Sequence, residues 1–335
     1  MGMAKRSYSK RSKKIEPAEM TLTFGLPVGP GAQINYIDLS QVASLQNRRF
    51  YRQGINWAVA GFKFIGISGL TGEITITKLP NTWVTANAWE KSMRSWMKMN
   101  REALEEAESV RPKFLDFKIY ADSSHHQAGY AANLLPSGLT AGEWEPSKIV
   151  FQDNSAVPAA GLRDLEIIAV GPNYPGGGAS GLNAVSMIEG YAASRGLPDV
   201  LDPNAPADAA DANGPSPANW MSAMFNDGTL ITEQVLDDMI TENNIAPYPF
   251  ENDGTHTDTM YPGGANQAPF LQMHDYTNLT GTSISSISYA KGGNFPCGLI
   301  RIDSTNFSAD TNVLMLIDLV PGDHRGYLCE PMTEM

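Results

Sequence analysis

A chain of 335 residues with 42% hydrophobic residues can bury a large core, and its two cysteines, Cys297 and Cys329, exclude a disulfide framework and favour a reducing compartment. Its 31 glycines and 22 prolines favour a loop-rich β protein over a helical bundle. The net charge is −12, and no apolar run reaches the length of a membrane helix, so membrane insertion is not expected.

The chain begins with a basic arm. Residues 1–14 carry six basic side chains and no acidic one: Lys5, Arg6, Lys10, Arg11, Lys13 and Lys14. Removing these six from the 24 basic residues leaves 18 against 36 acidic ones, a net charge near −18 for the body. A short basic tail on an acidic body is typical of an arm that binds a polyanion, most often nucleic acid. We expect residues 1–19 to form a disordered arm; a nuclear-import signal or an expression remnant is the alternative.

The body contains about ten segments with period-2 alternation of apolar and polar residues, many of them β-branched or aromatic, which predicts strands. They cover residues 20–26, 33–39, 56–67, 73–79, 113–120, 148–152, 165–170, 283–289, 299–303 and 313–320. We expect one domain over residues 20–335 that is mainly β, an antiparallel jelly-roll sandwich with one substantial helix and long loop insertions. A barrel or an immunoglobulin-like sandwich stays open.

The substantial helix is predicted over residues 87–110. Asn87 and Glu90 resemble a capping box, and Pro112 ends the helix. The apolar stripe at helical spacing consists of Trp89, Met93, Trp96, Met97 and Leu104. Such a stripe favours core packing over a ligand site.

A long insertion is predicted at about residues 171–280. Its glycine-, proline- and alanine-rich stretches favour exposure to solvent. Short helices are predicted within it over residues 182–194, 220–226 and 232–241, and residues 243–279 are predicted to form a loop.

A second basic cluster lies in residues 47–53, which we call the basic segment. Arg48, Arg49 and Arg52 alternate there with the aromatic residues Phe50 and Tyr51. Guanidinium groups bind phosphates and aromatic rings stack on bases, so this pattern predicts nucleic-acid binding. If the basic segment and the arm lie on the same side, they form one basic surface. The alternative is a strand edge or subunit contact in which the arginines pair with acids of a neighbour.

No catalytic motif is present. The sequence lacks H-E-x-x-H, C-x-x-C, G-x-S-x-G and the phosphate-binding glycine loops, so neither an enzyme nor a bound cofactor is expected. Carboxylates near His256, namely Glu251, Asp253 and Asp258, could hold Ca²⁺ at a subunit contact. The same loop carboxylates support an alternative function, a β-sandwich enzyme or carbohydrate-binding module. A structural protein that assembles without packaging nucleic acid is another.

Three parts of the chain resemble the capsid proteins of small circular single-stranded DNA viruses that encode a rolling-circle replication protein (Rep). They are the basic arm, the segment YIDLSQVASLQNRRFYRQGINWAVAGFKF and the segment VLMLIDLVPGDHRGYLCEPM. Smacovirus-like and unclassified environmental members are the most similar. The resemblance implies a jelly roll that assembles with copies of itself into an icosahedral shell and packages single-stranded DNA through the arm. It also implies a place in the virion, and in the host nucleus or cytoplasm during assembly.

Overall fold

The computed structural model describes residues 17–106, 109, 115–142, 144–152, 162–195, 220–221, 270–281 and 286–335. The strands along the chain are β1 (Thr21–Val28), β2 (Gln33–Asp38), β3 (Ile55–Ile65), β4 (Gly72–Lys78), β5 (Lys148–Gln152), β6 (Leu162–Ile168), β7 (Asn183–Ser186), β8 (Gln272–Leu279), β9 (Ile287–Phe295), β10 (Leu299–Thr305), β11 (Thr311–Leu319), β12 (Pro321–Gly322), β13 (Gly326–Tyr327) and β14 (Cys329–Pro331). The α-helices are α1 (Leu39–Asn47), α2 (Trp83–Glu106), α3 (Ser123–Ala128) and α4 (Met187–Arg195).

Two antiparallel sheets form the main body. The first has the order β1-β11-β3. Strand β14 pairs with β3 along the same edge as β11, and β9 pairs with the opposite edge of β3. The second has the order β2-β10-β4-β8. Strands β1, β3, β9 and β11 lie in the first sheet and β2, β4, β8 and β10 in the second, so in this series the chain changes sheet at every step except between β4 and β8, which pair with each other. This connectivity is consistent with a jelly roll and confirms the predicted mainly β, antiparallel fold.

The main core lies between the two sheets. Phe24 and Phe62 of the first sheet and Ile74 and Ile300 of the second are fully or almost fully buried in one cluster. Residues in β1 alternate between buried and partly exposed, as period-2 patterning predicts. Each large apolar side chain buried in this way contributes about 1.5–3 kcal/mol, so this core is a principal source of stability.

A second core lies under helix α2. It joins Val84 and Trp89 of α2 to residues of the small sheet β5-β6-β7, such as Ile149 and Leu165. Trp89, Met93 and Trp96 of the predicted stripe pack in this core, whereas Met97 is exposed. On the outer face of the helix, Glu90 and Arg94 form an ion pair one turn apart. This second core lies beside the sandwich and covers one end of its second sheet.

Helix α2 begins at Trp83, so the predicted start at residue 87 is wrong. The Thr82 side chain accepts a hydrogen bond from the backbone N–H of Thr85 at 3.4 Å. Such a bond is the usual N-terminal cap of a helix. Since Val84 is already fully buried, the apolar face also begins one turn earlier than the sequence pattern indicated.

Three further features of local structure differ from what the sequence indicated. Residues 39–47 form helix α1, which the sequence did not indicate; residues 115–119 form no strand; and residues 272–279, predicted as loop, form strand β8 on the edge of the second sheet. The side chain of Gln53 explains the second of these. Its amide accepts from the backbone N–H of Ile119 at 2.7 Å and donates to the carbonyl oxygen of Ile119 at 3.0 Å. A side chain thus occupies the place of a strand partner.

The predicted insertion lies partly outside the described residues. Within it, residues 183–186 form strand β7, parallel to β6, where a helix was predicted to begin. Val185, Met187 and Trp220 are buried in the second core. The first part of the insertion therefore packs against the body. The predicted exposure of residues 196–219 and the predicted helix 232–241 fall outside the described residues.

Candidate nucleic-acid interface

The basic segment connects helix α1 to strand β3. Helix α1 begins where the buried Asp38 side chain accepts from the backbone N–H groups of Ser40, at 2.9 Å, and Gln41, at 3.3 Å. It ends at Arg48, which has a left-handed backbone with φ of 53°. This conformation reverses the chain at the end of a helix. The remaining residues then run across the end of the sandwich toward β3.

The root of the basic arm lies against this segment. Arg49 Nη1 donates to the carbonyl oxygen of Pro17 at 3.1 Å. The backbone N–H of Glu19 donates to Asn47 Oδ1 at 3.0 Å, and Tyr327 Oη donates to the carbonyl oxygen of Glu19 at 2.7 Å. The structure therefore places the point where the arm joins the body beside the basic segment. The six basic arm residues themselves, Lys5, Arg6, Lys10, Arg11, Lys13 and Lys14, lie outside the described residues.

The three predicted arginines of the body lie together at this end of the sandwich. Arg48 and Arg52 are exposed and Arg49 is half-buried. Arg52 is held by its Nε, which donates to the carbonyl oxygen of Leu115 at 3.1 Å. A guanidinium group has five N–H donors, so it can bind a phosphate in addition to such an anchoring bond.

A fourth arginine, Arg325, joins the cluster from the C-terminal part of the chain. Its Nη1 donates to the carbonyl oxygen of Phe50. No local sequence pattern indicates a role for Arg325, although it lies in the second segment that carries the resemblance. The neighbouring His324 adds little charge near neutral pH, because burial, followed by the nearby Arg325 and Arg52, lowers its pKa.

The two aromatic residues of the basic segment have different environments. Tyr51 is fully buried, in contact with Trp57 and Tyr327, and its hydroxyl donates to the carbonyl oxygen of Arg325 at 3.0 Å. Its ring is therefore inaccessible to a nucleic-acid base, so the predicted stacking on Tyr51 is wrong. Phe50 is half-buried and remains at the surface.

Two hollows lie on either side of Phe50. The first, of about 260 Å³, is lined by Arg48, Arg49 and Trp144, among others. The second, of about 530 Å³, is lined by Arg52 and Arg325 and by Trp96 of helix α2; we call it the Arg52 groove. Each hollow combines guanidinium groups with an aromatic side chain, the pair of chemistries that single-stranded nucleic acid requires.

Buried hydrogen bonds fix the end of the basic segment. Gln53 Nε2 donates to Asp38 Oδ2 at 3.1 Å, and the Gln53 backbone N–H donates to Asp116 Oδ1 at 3.2 Å. Asp38 also accepts from Trp144 Nε1 at 2.9 Å. The segment is thus connected to helix α1 and to both hollows through buried side chains. Burial raises the pKa of Asp116 to about 7.

Another cavity, of about 470 Å³, lies near helix α3 and shares Trp144 with the first hollow. Glu166 lines it together with Glu145, Lys148 and Trp144. His126 Nε2 lies 2.8 Å from Glu166 Oε2, and both side chains are completely buried. The sequence offered only one signal of this cavity, the adjacent histidines at positions 125 and 126.

The remaining site predictions concern metals and loop carboxylates. Glu251, Asp253 and Asp258 lie outside the described residues. Within the part of the chain that the structure describes, no group of three or more His, Cys, Asp or Glu side chains is arranged to hold a metal ion. Ca²⁺ at a subunit contact therefore stays a prediction. In the same part of the chain, no helix is both long and apolar enough to cross a membrane.

Comparisons with known proteins give no match to this chain among family models, curated proteins or solved structures.

Proposed function

We propose that this protein is a viral capsid protein, which assembles into an icosahedral shell and packages single-stranded nucleic acid through its basic arm. DNA is the nucleic acid that the sequence resemblance favours. The proposal is carried by one observation: the root of the arm at Pro17 is bonded to Arg49 of the basic segment. The arm and the exposed arginines of the body therefore act on the same side of the molecule.

The charge distribution supports this role. The body outside residues 1–14 has a net charge near −18, which follows from 18 basic and 36 acidic residues. An acidic surface repels nucleic acid, so attraction is confined to the end that carries the arm and the basic segment. The polymer would then contact one side of each subunit, as a shell with an interior genome requires.

Exposed apolar side chains support self-association. On the outer face of the first sheet, Tyr289 is 68% exposed and Leu314 is 41% exposed. On strand β8 of the second sheet, Met273 is 66% exposed and Tyr276 is 45% exposed. Large exposed apolar side chains grouped on sheet faces are typical of surfaces that bind other protein subunits.

The test compares the full chain with a variant that lacks residues 1–14. Both proteins are purified in the same way, and the nucleic acid carried by the assembled fraction is measured from its absorbance at 260 and 280 nm. We expect the variant to keep its circular dichroism spectrum and to lose most of the nucleic acid. A variant that carries as much nucleic acid as the full chain would overturn the role of the arm.

A second candidate function, a β-sandwich enzyme or carbohydrate-binding module, is favoured by the cavity that Glu166 lines and by the contact of Glu166 with the buried His126. Such a protein binds its ligand as a discrete unit in a defined pocket. A monomer that binds a small sugar stoichiometrically and loses that binding on Glu166→Gln would support this candidate over the capsid.

A further inference from the structure

The Arg52 groove has a basic end and an apolar end. Arg52 and Arg325 line the basic end, beside the basic segment. Trp96, Met93 and Phe117 line the rest, and the ring centroids of Trp96 and Phe117 are 5.8 Å apart. The groove volume of about 530 Å³ is within the range of small-molecule sites.

Two buried polar atoms, each on a residue that lines the groove, lack hydrogen-bond partners in the described part of the chain. One is Asp116 Oδ2, on a side chain that is only 4% exposed; the nearest cation, Lys118 Nζ, is 3.9 Å away. The other is the buried Nε1 of Trp89. A buried polar group without a partner is costly, so each such group needs an explanation. Here the acceptor and the donor are buried atoms of two residues that line the same groove, and a ligand that binds there can supply the missing donor and acceptor.

We propose that the Arg52 groove binds one nucleotide of the single-stranded nucleic acid, with its phosphate at Arg52 and Arg325 and its base against Trp96. This inference rests on the proposed function and assigns a defined site to it. The base stacks on the aromatic wall, which stabilises single-stranded binding without requiring a particular sequence. The two arginines supply charge-assisted hydrogen bonds to the phosphate.

The buried polar atoms add a preference among bases. Asp116 Oδ2 accepts from an exocyclic amino group, and Trp89 Nε1 donates to an adjacent ring nitrogen or carbonyl oxygen. Cytosine and adenine carry such an amino group, whereas thymine has a carbonyl oxygen in the corresponding position. The groove therefore favours cytosine and adenine nucleotides over thymine nucleotides.

The test uses the full chain and three probes: the 5′-monophosphates of deoxycytidine, deoxyadenosine and thymidine. Binding is measured at pH 8 by titration calorimetry and by quenching of tryptophan fluorescence. At this pH the Asp116 carboxyl group is ionised, since its pKa is about 7. We expect the cytidine and adenosine nucleotides to bind about 10-fold more tightly than the thymidine nucleotide, the size of one additional hydrogen bond to a charged group.

Two matched pairs of variants separate the groove from the rest of the surface. Arg52→Gln is expected to weaken all three nucleotides by about 10-fold, whereas Arg94→Gln, at a 68% exposed site outside the groove, leaves them unchanged. Asp116→Asn keeps an oxygen for the Gln53 backbone N–H and places an NH₂ group where Oδ2 was. The base preference then shifts toward thymine, while Asp310→Asn, at an exposed site, leaves the preference unchanged.

Equal binding of the three nucleotides by the full chain, or equal effects of Arg52→Gln and Arg94→Gln, would overturn the site. If Asp116→Asn does not fold, the site is still tested by the base preference of the unaltered chain and by the comparison of Arg52→Gln with Arg94→Gln. The result is separate from that of the proposed function. If packaging depends on the arm but the three nucleotides bind equally, the groove site is wrong and the role of the arm stands. If the groove binds nucleotides with the expected preference but packaging does not depend on the arm, the role of the arm is wrong and the groove site stands.

Discussion

Among single residues, two aspartates with buried side chains hold the basic segment of the candidate interface in place. Asp38 accepts hydrogen bonds from helix α1, from Gln53 and from Trp144, and Asp116 accepts from the backbone of Gln53. Both are at least 96% buried in the structure. The exposed arginines of the basic segment are thus positioned by carboxylates that the solvent hardly reaches.

The raised pKa of Asp116 predicts a pH dependence of stability. Because burial raises the pKa of Asp116 to about 7 from its ordinary value of 3.8, the folded protein binds a proton that the unfolded chain releases. This contribution is fully present below pH 3.8 and is lost as pH rises through 7. Relative to Asp116→Asn, the unaltered protein should gain up to about 1 kcal/mol of unfolding free energy per pH unit on acidification from pH 7 to pH 5.

Chemical denaturation of both proteins between pH 8 and pH 5 measures this difference. His125 has the opposite effect, since burial lowers its pKa to about 4 and its stabilising contribution is lost as pH falls from 6.5. Since His125 is present in both proteins, its effect cancels in the comparison. Parallel pH profiles for the two proteins would show that Asp116 is not responsible.

Among the secondary-structure elements, helix α1 depends on one side chain, that of Asp38. Asp38→Ala removes the N-terminal cap, which costs about 1 kcal/mol, and leaves Gln53 Nε2 and Trp144 Nε1 without their acceptor, at about 1–3 kcal/mol each. We expect a total loss of about 3–7 kcal/mol in the unfolding free energy. Asp38→Asn should lose less, because its remaining oxygen can still cap the helix. Urea unfolding curves test the order, and an alanine variant within 1 kcal/mol of the unaltered protein would contradict it.

The elements that the sequence predicted well are those whose pattern is local. Strands β1, β2, β3, β4, β10 and β11 follow from their alternation, and helix α2 from its stripe of Trp and Met. Helix α1 was missed because its cap, Asp38, is also the last residue of strand β2, so the two patterns overlap. Residues 115–119 were predicted as a strand because their alternation is real, but their backbone partner is the Gln53 side chain, 66 residues away from Ile119.

The candidate site also has one part that a local sequence pattern indicates and one part that depends on contacts between distant residues. The arginines of the basic segment were predictable, because charge and aromatic residues lie together in the sequence. The Arg52 groove was not, because its walls come from helix α2, residues 115–117 and the C-terminal part of the chain. Arg325 contacts Phe50 across 275 positions of sequence, and no local pattern indicates such a contact.

The whole molecule separates its charges, and this predicts how binding depends on salt. Binding to single-stranded DNA weakens with salt with a logarithmic slope of about −0.7 per phosphate neutralised. The six arm residues alone predict a slope of about −4, and the three arginines of the basic segment extend it to about −6. Titrating oligo-dT at several NaCl concentrations measures the slope. We expect it to fall to about −2 without residues 1–14, and a slope near zero for the full chain would contradict the account.

We propose that copies of this chain form a shell around nucleic acid, and the purified full-length protein is the sample in which to test this. Negative-stain electron microscopy of one fraction, with the ratio of its absorbance at 260 and 280 nm, examines both parts of the claim in the same sample. We expect uniform closed particles with a raised 260 nm absorbance. A monomer free of nucleic acid across a range of salt and pH conditions would contradict this proposal and favour the enzyme or carbohydrate-binding alternative.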